Sequence, residues 1–244
     1  RYIGREVELM SSEPSPAIEP DVDRRYFPLI VALVLLLSGT SGIIDAVAYQ
    51  RFGVFVSNQT GNLVVVAVSV TSGREQLTVG LSIVALVTFI VGVFLAMALR
   101  KWLHHHMPPH RARQTLLLIE ALLILVTCII VFLIGEQRAA YVAVALLSLS
   151  QAIQGIVIMR IVGVAIQTVV INTALVQSAT WYFEGRRRAA TVAFSTPIGY
   201  FAGAALGALL IPLPRPAALS SAVITAGLAF VVARNIRVRG AAME

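Results

Sequence analysis

Polar residues that could do chemistry interrupt an otherwise apolar sequence between residues 38 and 63. Asp45 is the lone carboxylate of this stretch, Thr40 and Ser41 precede it, and Ser57-Asn58-Gln59-Thr60-Gly61-Asn62 follows it. At membrane depth, a charge or an irregular backbone costs several kcal/mol unless it faces a protein cavity or a water path. The stretch is therefore predicted to be a site for a polar ligand or ion, with an extramembrane loop as the alternative.

The sequence allows two interpretations of Asp45. Because intramembrane carboxylates commonly serve proton and ion pathways, Asp45 is a candidate coupling group or ligand contact. Alternatively, it forms a structural ion pair with Arg51 or reaches water at the interface. A helix that starts near Pro28 and rises about 1.5 Å per residue places Asp45 in the outer third of the membrane.

The segment Asn58–Asn62 is typical of a polar entry loop that leads into a half-helix. Gly61 lets the backbone approach a ligand closely, and Asn58 or Thr60 can cap the helix that follows. The N-terminus of a half-helix offers free N–H groups and a positive dipole end to an anion or a carbonyl. Gln59 and Asn62 complete this predicted binding loop, and a plain extracellular turn is the alternative.

The second half of the chain carries amide side chains within its apolar segments. Gln151 and Gln154 lie in the middle of one segment, and Gln167 and Asn172 follow in a weaker one. These amides are predicted to line a site for a polar solute. They could equally hydrogen-bond neighbouring helices, at about 1 kcal/mol per contact.

Glu120 is a further intramembrane carboxylate, about one and a half turns inside its apolar segment. It is either a second coupling group or a side chain that extends toward Arg111 and Arg113, and we favour the second interpretation.

Other motifs argue against a metal site and an enzyme. His104–His106 and His110 lie among prolines and arginines, which favours a solvated cytoplasmic loop over a metal centre. The sequence has no G-x-S-x-G elbow, no H-E-x-x-H helix and no phosphate loop. We therefore expect no metal, no cofactor and no enzymatic activity.

The composition indicates the class of protein. Hydrophobic residues make up 58% of the chain and charged residues 13%, with a mean hydropathy of +0.85, whereas soluble domains are about a quarter charged. Apolar runs of about 18 to 24 residues recur, and each is long enough to cross a hydrocarbon core of about 30 Å. The sequence therefore predicts an all-α, polytopic transmembrane bundle. The net charge of +7 is mostly loop arginine, which indicates topology and anionic-lipid contact rather than nucleic-acid binding.

The distribution of arginine and lysine predicts the topology. Strong apolar segments cover residues 28–49, 78–99, 115–135, 140–160, 190–211 and 217–234, and weaker ones cover 54–72 and 163–183. If the two weak segments are re-entrant or broken, only four of the 19 basic residues lie outside: Arg51, Arg74, Arg138 and Arg215. Because cytoplasmic loops are rich in these residues, six full spans with both termini cytoplasmic are predicted.

Two halves of the chain resemble each other at a period of about 110 residues, as in duplicated transporters. The predicted repeats are 28–135 and 140–234, within one transmembrane domain (27–234) between cytoplasmic tails at 1–26 (disordered) and 235–244. Asp45–Gly53 aligns with Gln154–Gly163, and Thr60–Leu63 aligns with Asn172–Leu175. Three spans per half make the repeats inverted, whereas eight full spans would make them parallel.

A stripe of small residues, Gly199, Gly203 and Gly207, predicts a close helix–helix contact. Pro197, just before it, predicts a kink. The partner helix lies either within the chain or in a second copy, which would make the protein a homodimer.

Two motifs resemble those of the YoaK-like integral membrane family, a family of unknown function. They are Gly42-Ile-Ile-Asp45-Ala46 and Gly53-Val-Phe55-Val-Ser-Asn58-Gln59-Thr60-Gly61-Asn62-Leu63, which match its G-x-x-D-A and v-F-x-x-N-x-T-G-N-L elements. The second half departs from the family pattern, since Gln154-Gly155 and Asn172-Thr173-Ala174 stand where Q-N and T-G-N are usual. The resemblance covers residues 28 to about 234 and implies a compact helical membrane protein of transporter type without an established substrate.

These features together predict a small secondary transporter, or permease, for a polar or anionic small molecule. Asp45 is its predicted coupling or gating carboxylate, and its partners are the lipid bilayer and the substrate. It is expected in the plasma or inner membrane. The alternative is a non-transporting assembly partner or sensor, in which the polar residues only hold helices together.

Overall fold

Eight α-helices and no strand make up the part of the chain that the computed structural model describes, residues 22–72, 76–158, 171–213 and 217–236. In chain order they are α1 (Phe27–Phe52), α2 (Gln59–Ser72), α3 (Gln76–His106), α4 (Pro109–Ile134), α5 (Glu136–Ile158), α6 (Ile171–Phe183), α7 (Arg187–Leu210) and α8 (Ala217–Asn235). Six of them (α1, α3, α4, α5, α7 and α8) are long and apolar enough to cross a membrane. The predicted all-α polytopic bundle with six spans is confirmed.

Within the described residues, the other two helices are shorter than a bilayer is thick. α2 has 14 residues and α6 has 13, so each is about 20 Å long at 1.5 Å per residue, against a hydrocarbon core of about 30 Å. They coincide with the two weak segments of the sequence.

The two ends of the bundle are named after α1: the lower face is where Phe27 starts it, and the upper face is where Phe52 ends it. α5 starts at the upper face, because its Glu136 carboxylate lies 3.3 Å from the Arg51 guanidinium. α5 therefore runs antiparallel to α1 and ends at the lower face.

The direction of α3 shows how α2 relates to the membrane. α3 runs parallel to α5, because Gly80 lies against Tyr141 and Gly92 lies against Leu149, further along both helices. α3 therefore starts at the upper face, where α1 ends. The segment between them, including α2, enters and leaves the bundle at that face and is re-entrant.

The direction of α7 gives the same result for α6 at the opposite face. α7 runs parallel to α1, because Gly199 lies against Leu35 and Gly207 lies against Ile43. α7 therefore starts at the lower face, where α5 ends. The chain between α5 and α7, which contains α6, leaves and returns at the lower face.

The small-residue stripe of α7 packs within the chain. A Cβ atom built on Gly199 would lie 2.7 Å from the Leu35 carbonyl oxygen, and one on Gly203 would collide with the backbone of Gly39. Gly207 is equally close to α1, at 2.9 Å from the Ile43 carbonyl oxygen. Of the two alternatives, a partner helix within the chain is the one realised, and a homodimer through Gly199, Gly203 and Gly207 is not possible at this face because α1 occupies it.

Burial separates inner helices from outer ones. In their apolar windows, 61% of α1 and 67% of α5 are buried, against 28% to 39% for the other four spans. α1 packs on α5, α7 and α8, and α4 packs on α5 and α8, so that α1, α5, α4 and α8 form a ring. Large apolar side chains such as Phe94, Phe132 and Phe201 point outward, as lipid contact requires.

Two sequence-based boundaries need correction. Val22 is buried and its carbonyl accepts a hydrogen bond from the Arg188 guanidinium at 2.6 Å, and Tyr26 is partly buried. These two residues of the predicted disordered tail therefore pack on the bundle, whereas residues 23–25 between them are exposed. His104–His106 form the exposed last turn of α3 instead of a loop. The predicted tails at 1–21 and 237–244 lie outside the described residues.

Candidate functional site

Asp45 is the centre of a hydrogen-bonded clasp that joins three parts of the chain. Its Oδ1 atom accepts hydrogen bonds from the backbone N–H groups of Val56 and Ser57, each at 2.8 Å. Its Oδ2 atom accepts from the hydroxyl of Ser57 and from that of Tyr200, the latter at 2.7 Å. We call these four residues the Asp45 clasp. It connects the loop that follows α1 to α7 and to α1 itself, at a point about two turns before the end of that helix.

The clasp leaves the carboxylate of Asp45 fully engaged. An ionised carboxylate has about four lone-pair positions, and four donors occupy them here. Only 1% of Asp45 is exposed. The alternative of an Asp45–Arg51 ion pair is not realised, because Arg51 pairs with Glu136 and donates to the Ile211 carbonyl at 2.8 Å.

The clasp turns the chain back into the bundle. α1 ends at Gly53, whose φ of 71° is left-handed and whose N–H donates to the Tyr49 carbonyl. The backbone then descends until Val56 and Ser57 reach the depth of Asp45, about two turns below the end of α1. α2 therefore starts at about the depth of Asp45, well below the upper face, with Asn58 and Thr60 on the outside of the bundle.

Side chains of the predicted binding loop hold that loop in shape. The side-chain Oδ1 atom of Asn62 accepts a hydrogen bond from the Phe55 N–H at 2.9 Å, and its Nδ2 atom donates to Gln59 Oε1 at 3.0 Å. Gln59 donates to the Val56 carbonyl at 2.9 Å. Asn62 is buried, whereas Asn58 is exposed.

The start of α2 is capped as the sequence predicts. Asn58 Oδ1 accepts a hydrogen bond from the Gly61 N–H at 3.2 Å, which satisfies one of the free donors of the first turn. Gly61 serves packing, since a Cβ atom there would lie 2.8 Å from the Phe55 ring. Thr60 is exposed.

A second buried network lies one turn deeper, between α1 and α5. The Ser41 hydroxyl donates to Gln151 Oε1 at 2.6 Å, and Gln154 Nε2 lies 2.9 Å from Ser41 Oγ and 3.1 Å from the Leu37 carbonyl. Ser41, Gln151 and Gln154 are fully buried. We call these three residues the amide network. Because Ser41 and Asp45 are four residues apart on α1, the network and the clasp lie on the same side of that helix.

The remaining predicted residues lie elsewhere. Thr40 faces α8, where its hydroxyl lies 2.8 Å from that of Thr225. Asn172 is exposed near the start of α6, and Gln167 lies outside the described residues. α2 packs on α3 and α6 packs on α7, so the two short helices are on different parts of the bundle.

Three members of the clasp, Val56, Ser57 and Tyr200, were not selected from the sequence. Tyr200 resembles an interfacial anchor, but its hydroxyl reaches Asp45. Its position beside Gly199 and Gly203 is the signal that could have found it, because those glycines turn that side of α7 toward α1. Ser57 was part of the polar run, although only Asn58–Asn62 were chosen.

The surroundings of Glu120 also differ from those predicted from the sequence. It is 1% exposed, and within the described residues neither carboxylate oxygen has a hydrogen-bond partner. The favoured extension toward Arg111 and Arg113 is wrong: Arg111 is exposed, and Arg113 donates to the Ile236 carbonyl at 3.2 Å. Glu120 points into the bundle rather than toward the interface.

A partly open cleft lies near the upper face. Its polar members are Arg51 and Glu136, whose ion pair lies among aliphatic side chains such as Val47, Leu147 and Leu210. Its lining is mostly apolar.

Comparison with known proteins identifies relatives of the chain. Residues 33–233 match the family model described as "Protein of unknown function (DUF1275)". The chain is also 32% identical over 127 residues to the UPF0700 transmembrane protein YoaK of Bacillus subtilis (strain 168), an alignment that covers 50% of this chain and 53% of that protein. It therefore spans about half the length of this curated relative. No solved structure matches the chain.

Proposed function

The chain belongs to the DUF1275 family, a family of unknown function, and we propose that it is a small secondary transporter for a polar or anionic small molecule. The observation that carries this proposal is the pair of short helices, α2 and α6, whose segments enter and leave from opposite faces. Discontinuous segments of this kind flank the substrate site in several transporter folds.

The depth at which the short helices start supports this interpretation. α2 starts next to the Asp45 clasp, about two turns below the upper face. The Ser178 hydroxyl of α6 donates to the Ala190 carbonyl of α7 at 3.0 Å, so α6 runs back to the lower face beside the first turns of α7. Its first described residue, Ile171, is then about level with Pro197, seven residues further along α7.

The pattern of helix contacts is the one that inverted repeats require. In two such repeats, each helix of the first half corresponds to the helix four places later in the chain. The α1–α7 contact then corresponds to α5–α3, the α2–α3 contact to α6–α7, and the α1–α8 contact to α5–α4. All of these contacts occur. The Gly39–Gly203 contact similarly corresponds to the Leu149–Gly92 contact after a shift of about 110 residues. This supports two inverted halves, and hence movement of one half relative to the other.

The placement of basic residues favours a cytoplasmic lower face. Within the described residues, the upper face carries Arg51 and Arg138, and the lower face carries the rest, which are Arg24, Arg25, Arg100, Lys101, Arg111, Arg113, Arg186, Arg187, Arg188 and Arg234. Cytoplasmic loops are rich in such residues. We therefore propose a multi-pass protein of the plasma or inner membrane with both termini in the cytoplasm.

The amide network is the proposed substrate-binding region. Gln151 Nε2 and Ser148 Oγ are buried without a hydrogen-bond partner in the part of the chain that is described. An unpaired buried donor costs about 1–3 kcal/mol. A polar or anionic solute with acceptor atoms would satisfy these donors, and it would reach them when the Asp45 clasp releases the re-entrant loop. In this proposal Asp45 is the gating carboxylate.

The test is ligand-induced stabilisation. Purified full-length protein is screened by thermal shift against organic anions and polar neutral metabolites. A ligand at one hundred times its Kd adds about 2.7 kcal/mol to the free energy of unfolding. We expect a compound that stabilises the wild type and Gln114→Leu, a matched change near the lower face, but not Gln151→Leu. Equal stabilisation of all three proteins would contradict the proposed binding region.

One observation favours the alternative, a non-transporting assembly partner or sensor. Protein donors already satisfy all acceptor positions of Asp45, which is what a purely structural carboxylate would show. A structural protein would keep its cellular role in Asp45→Asn as long as it stays folded. A transporter would fold and lose uptake.

A further inference from the structure

The ring formed by α1, α5, α4 and α8 encloses a carboxyl group that the proposed substrate site does not use. Glu120 on α4 is 1% exposed, and both its oxygens lack a hydrogen-bond partner among the residues described. Buried carboxylates in proteins are normally paired or hydrogen-bonded. A group in this state, inside a membrane domain, needs a functional explanation.

The pairing of the helices shows which residues lie at the same depth in the bundle as Glu120. α4 and α5 form a hairpin with Gly135 as the connecting residue, so counting back equally from Gly135 places Glu120 level with Ser150 and Gln151. Gln151 is the member of the amide network whose Nε2 atom lacks a partner within the described chain. Glu120 and the amide network therefore lie at the same depth.

The pairing of α4 with α8 agrees with this position. Cys128 Sγ lies 3.7 Å from Ser220 Oγ, and the Arg113 guanidinium donates to the Ile236 carbonyl at 3.2 Å. Glu120 lies between these two contacts, opposite the middle of α8. Small side chains, of which Ala226 and Ala229 are fully or nearly buried, face the ring there.

We propose that Glu120 is the proton-binding group of this protein, taking up a proton from one face of the membrane and releasing it to the other. No covalent bond other than the carboxyl O–H forms or breaks. The inference of proton binding depends only on the surroundings of Glu120. The coupling of proton binding to solute movement rests on the proposed function. Carboxyl groups inside membrane domains serve proton relays in pumps and transporters.

A proton fits these surroundings better than a metal ion. Ca²⁺ takes about six to eight oxygen ligands and Mg²⁺ needs about six in an octahedron. Glu120 offers one carboxylate, and the Gln151 carbonyl oxygen at the same depth already accepts from Ser41. Within the described residues, no group of three or more His, Cys, Asp or Glu could hold a metal.

Charged groups on the helices around Glu120 lie toward the two faces. Arg113, two turns below it on α4, is the nearest along its own helix and bonds Ile236. On the helices that pack on α4, the described charged or titratable residues lie near the helix ends, and Tyr141 lies near the upper face. They are Arg100, Lys101 and His104–His106 on α3, Glu136, Arg138 and Tyr141 on α5, and Arg234 on α8. On α1, the fourth helix of the ring, Asp45 is engaged by its clasp.

Infrared difference spectroscopy tests proton binding without a known substrate. Full-length protein in lipid nanodiscs is titrated from acidic to alkaline pH, and the carbonyl band of protonated carboxylic acids is followed. The other carboxyl groups of the chain titrate as well, so the component that belongs to Glu120 is identified by its absence from Glu120→Gln. We expect this component to be present in the wild type and in Glu136→Gln and to disappear from both with rising pH. Glu120→Asp keeps a carboxyl group and should shift the band, which guards against a folding defect in Glu120→Gln.

Three results would overturn the proposal: no band is lost in Glu120→Gln, the band does not change with pH, or added Na⁺ removes it at constant pH. The third result would assign the site to a metal cation. A pH-dependent Glu120 band in a protein that moves no solute would retain proton binding and refute transport, so the two proposals fail separately.

Discussion

Asp45 and Glu120 are equally buried, with 1% of each residue exposed, but their surroundings are opposite. Asp45 accepts four hydrogen bonds from α7 and the re-entrant loop. Glu120 has no partner for either oxygen within the described residues. A saturated carboxylate holds parts of the chain together, whereas an unsaturated one is available to a proton. Burial alone therefore does not indicate which carboxylate does chemistry.

The largest expected effect is that of Asp45→Ala. This change leaves the N–H groups of Val56 and Ser57 and the hydroxyl of Tyr200 without their acceptor. Breaking such a buried, charge-assisted arrangement costs about 4 kcal/mol. Unfolding in mild detergent should show this loss, and a change below about 1 kcal/mol would mean that the clasp does not hold the loop.

Gly203→Ala should follow, because its new methyl group would strike the backbone of Gly39 and push α1 and α7 apart. We expect a loss of about 3 kcal/mol. Gly227→Ala is the matched control, since a Cβ atom there meets nothing within 4 Å, and alanine raises helix propensity by about 1 kcal/mol. Equal melting temperatures for the two variants would contradict the close contact between α1 and α7.

Tyr200→Phe removes one donor from the clasp and leaves the ring in place. A hydrogen bond to a charged group contributes about 1.5–3 kcal/mol, and we expect a loss near the lower value. Hydrogen exchange at the Val56 and Ser57 amides should also become faster, while the exposed control Tyr182→Phe leaves it unchanged. Unchanged exchange in Tyr200→Phe would show that the loop is held without α7.

Glu120→Gln should have the smallest effect on stability, within about 1 kcal/mol. No hydrogen bond to a described residue is lost, and the amide has nearly the same shape as the acid. The direct comparison is Asp45→Asn, which removes an acceptor from two hydroxyls and should cost more. If Glu120→Gln were the more destabilising of the two, Glu120 would have a structural partner. The difference in hydrogen bonding between Asp45 and Glu120 would then be contradicted.

The fold could be predicted from the sequence because membrane thickness imposes a simple rule. Spans must have about 20 apolar residues, and the placement of arginine distinguished the two short segments from full spans. Hydropathy reports depth but not rotation about the helix axis. It could not show which groups Glu120 meets, and the expected partner Arg113 lies two turns away on α4 and bonds the Ile236 carbonyl instead.

The candidate site was only partly predictable for a related reason. Local signals were sufficient for Asn58 as a cap and for Asp45 as an important residue. The partner Tyr200 is 155 residues from Asp45, and only the packing of α7 on α1 brings them together. The amide network was found as residue types, but its pairing with Ser41 depends on the antiparallel contact of α5 with α1.

Uptake into proteoliposomes is the most direct test of the transporter proposal. A compound that stabilises the protein is supplied outside vesicles containing wild type, Asp45→Asn or Glu136→Gln, with folding checked by size-exclusion chromatography. We expect uptake by the wild type and by Glu136→Gln, and loss of uptake in folded Asp45→Asn. Binding without uptake in the wild type, or undiminished uptake in Asp45→Asn, would contradict a transporter gated by the Asp45 clasp.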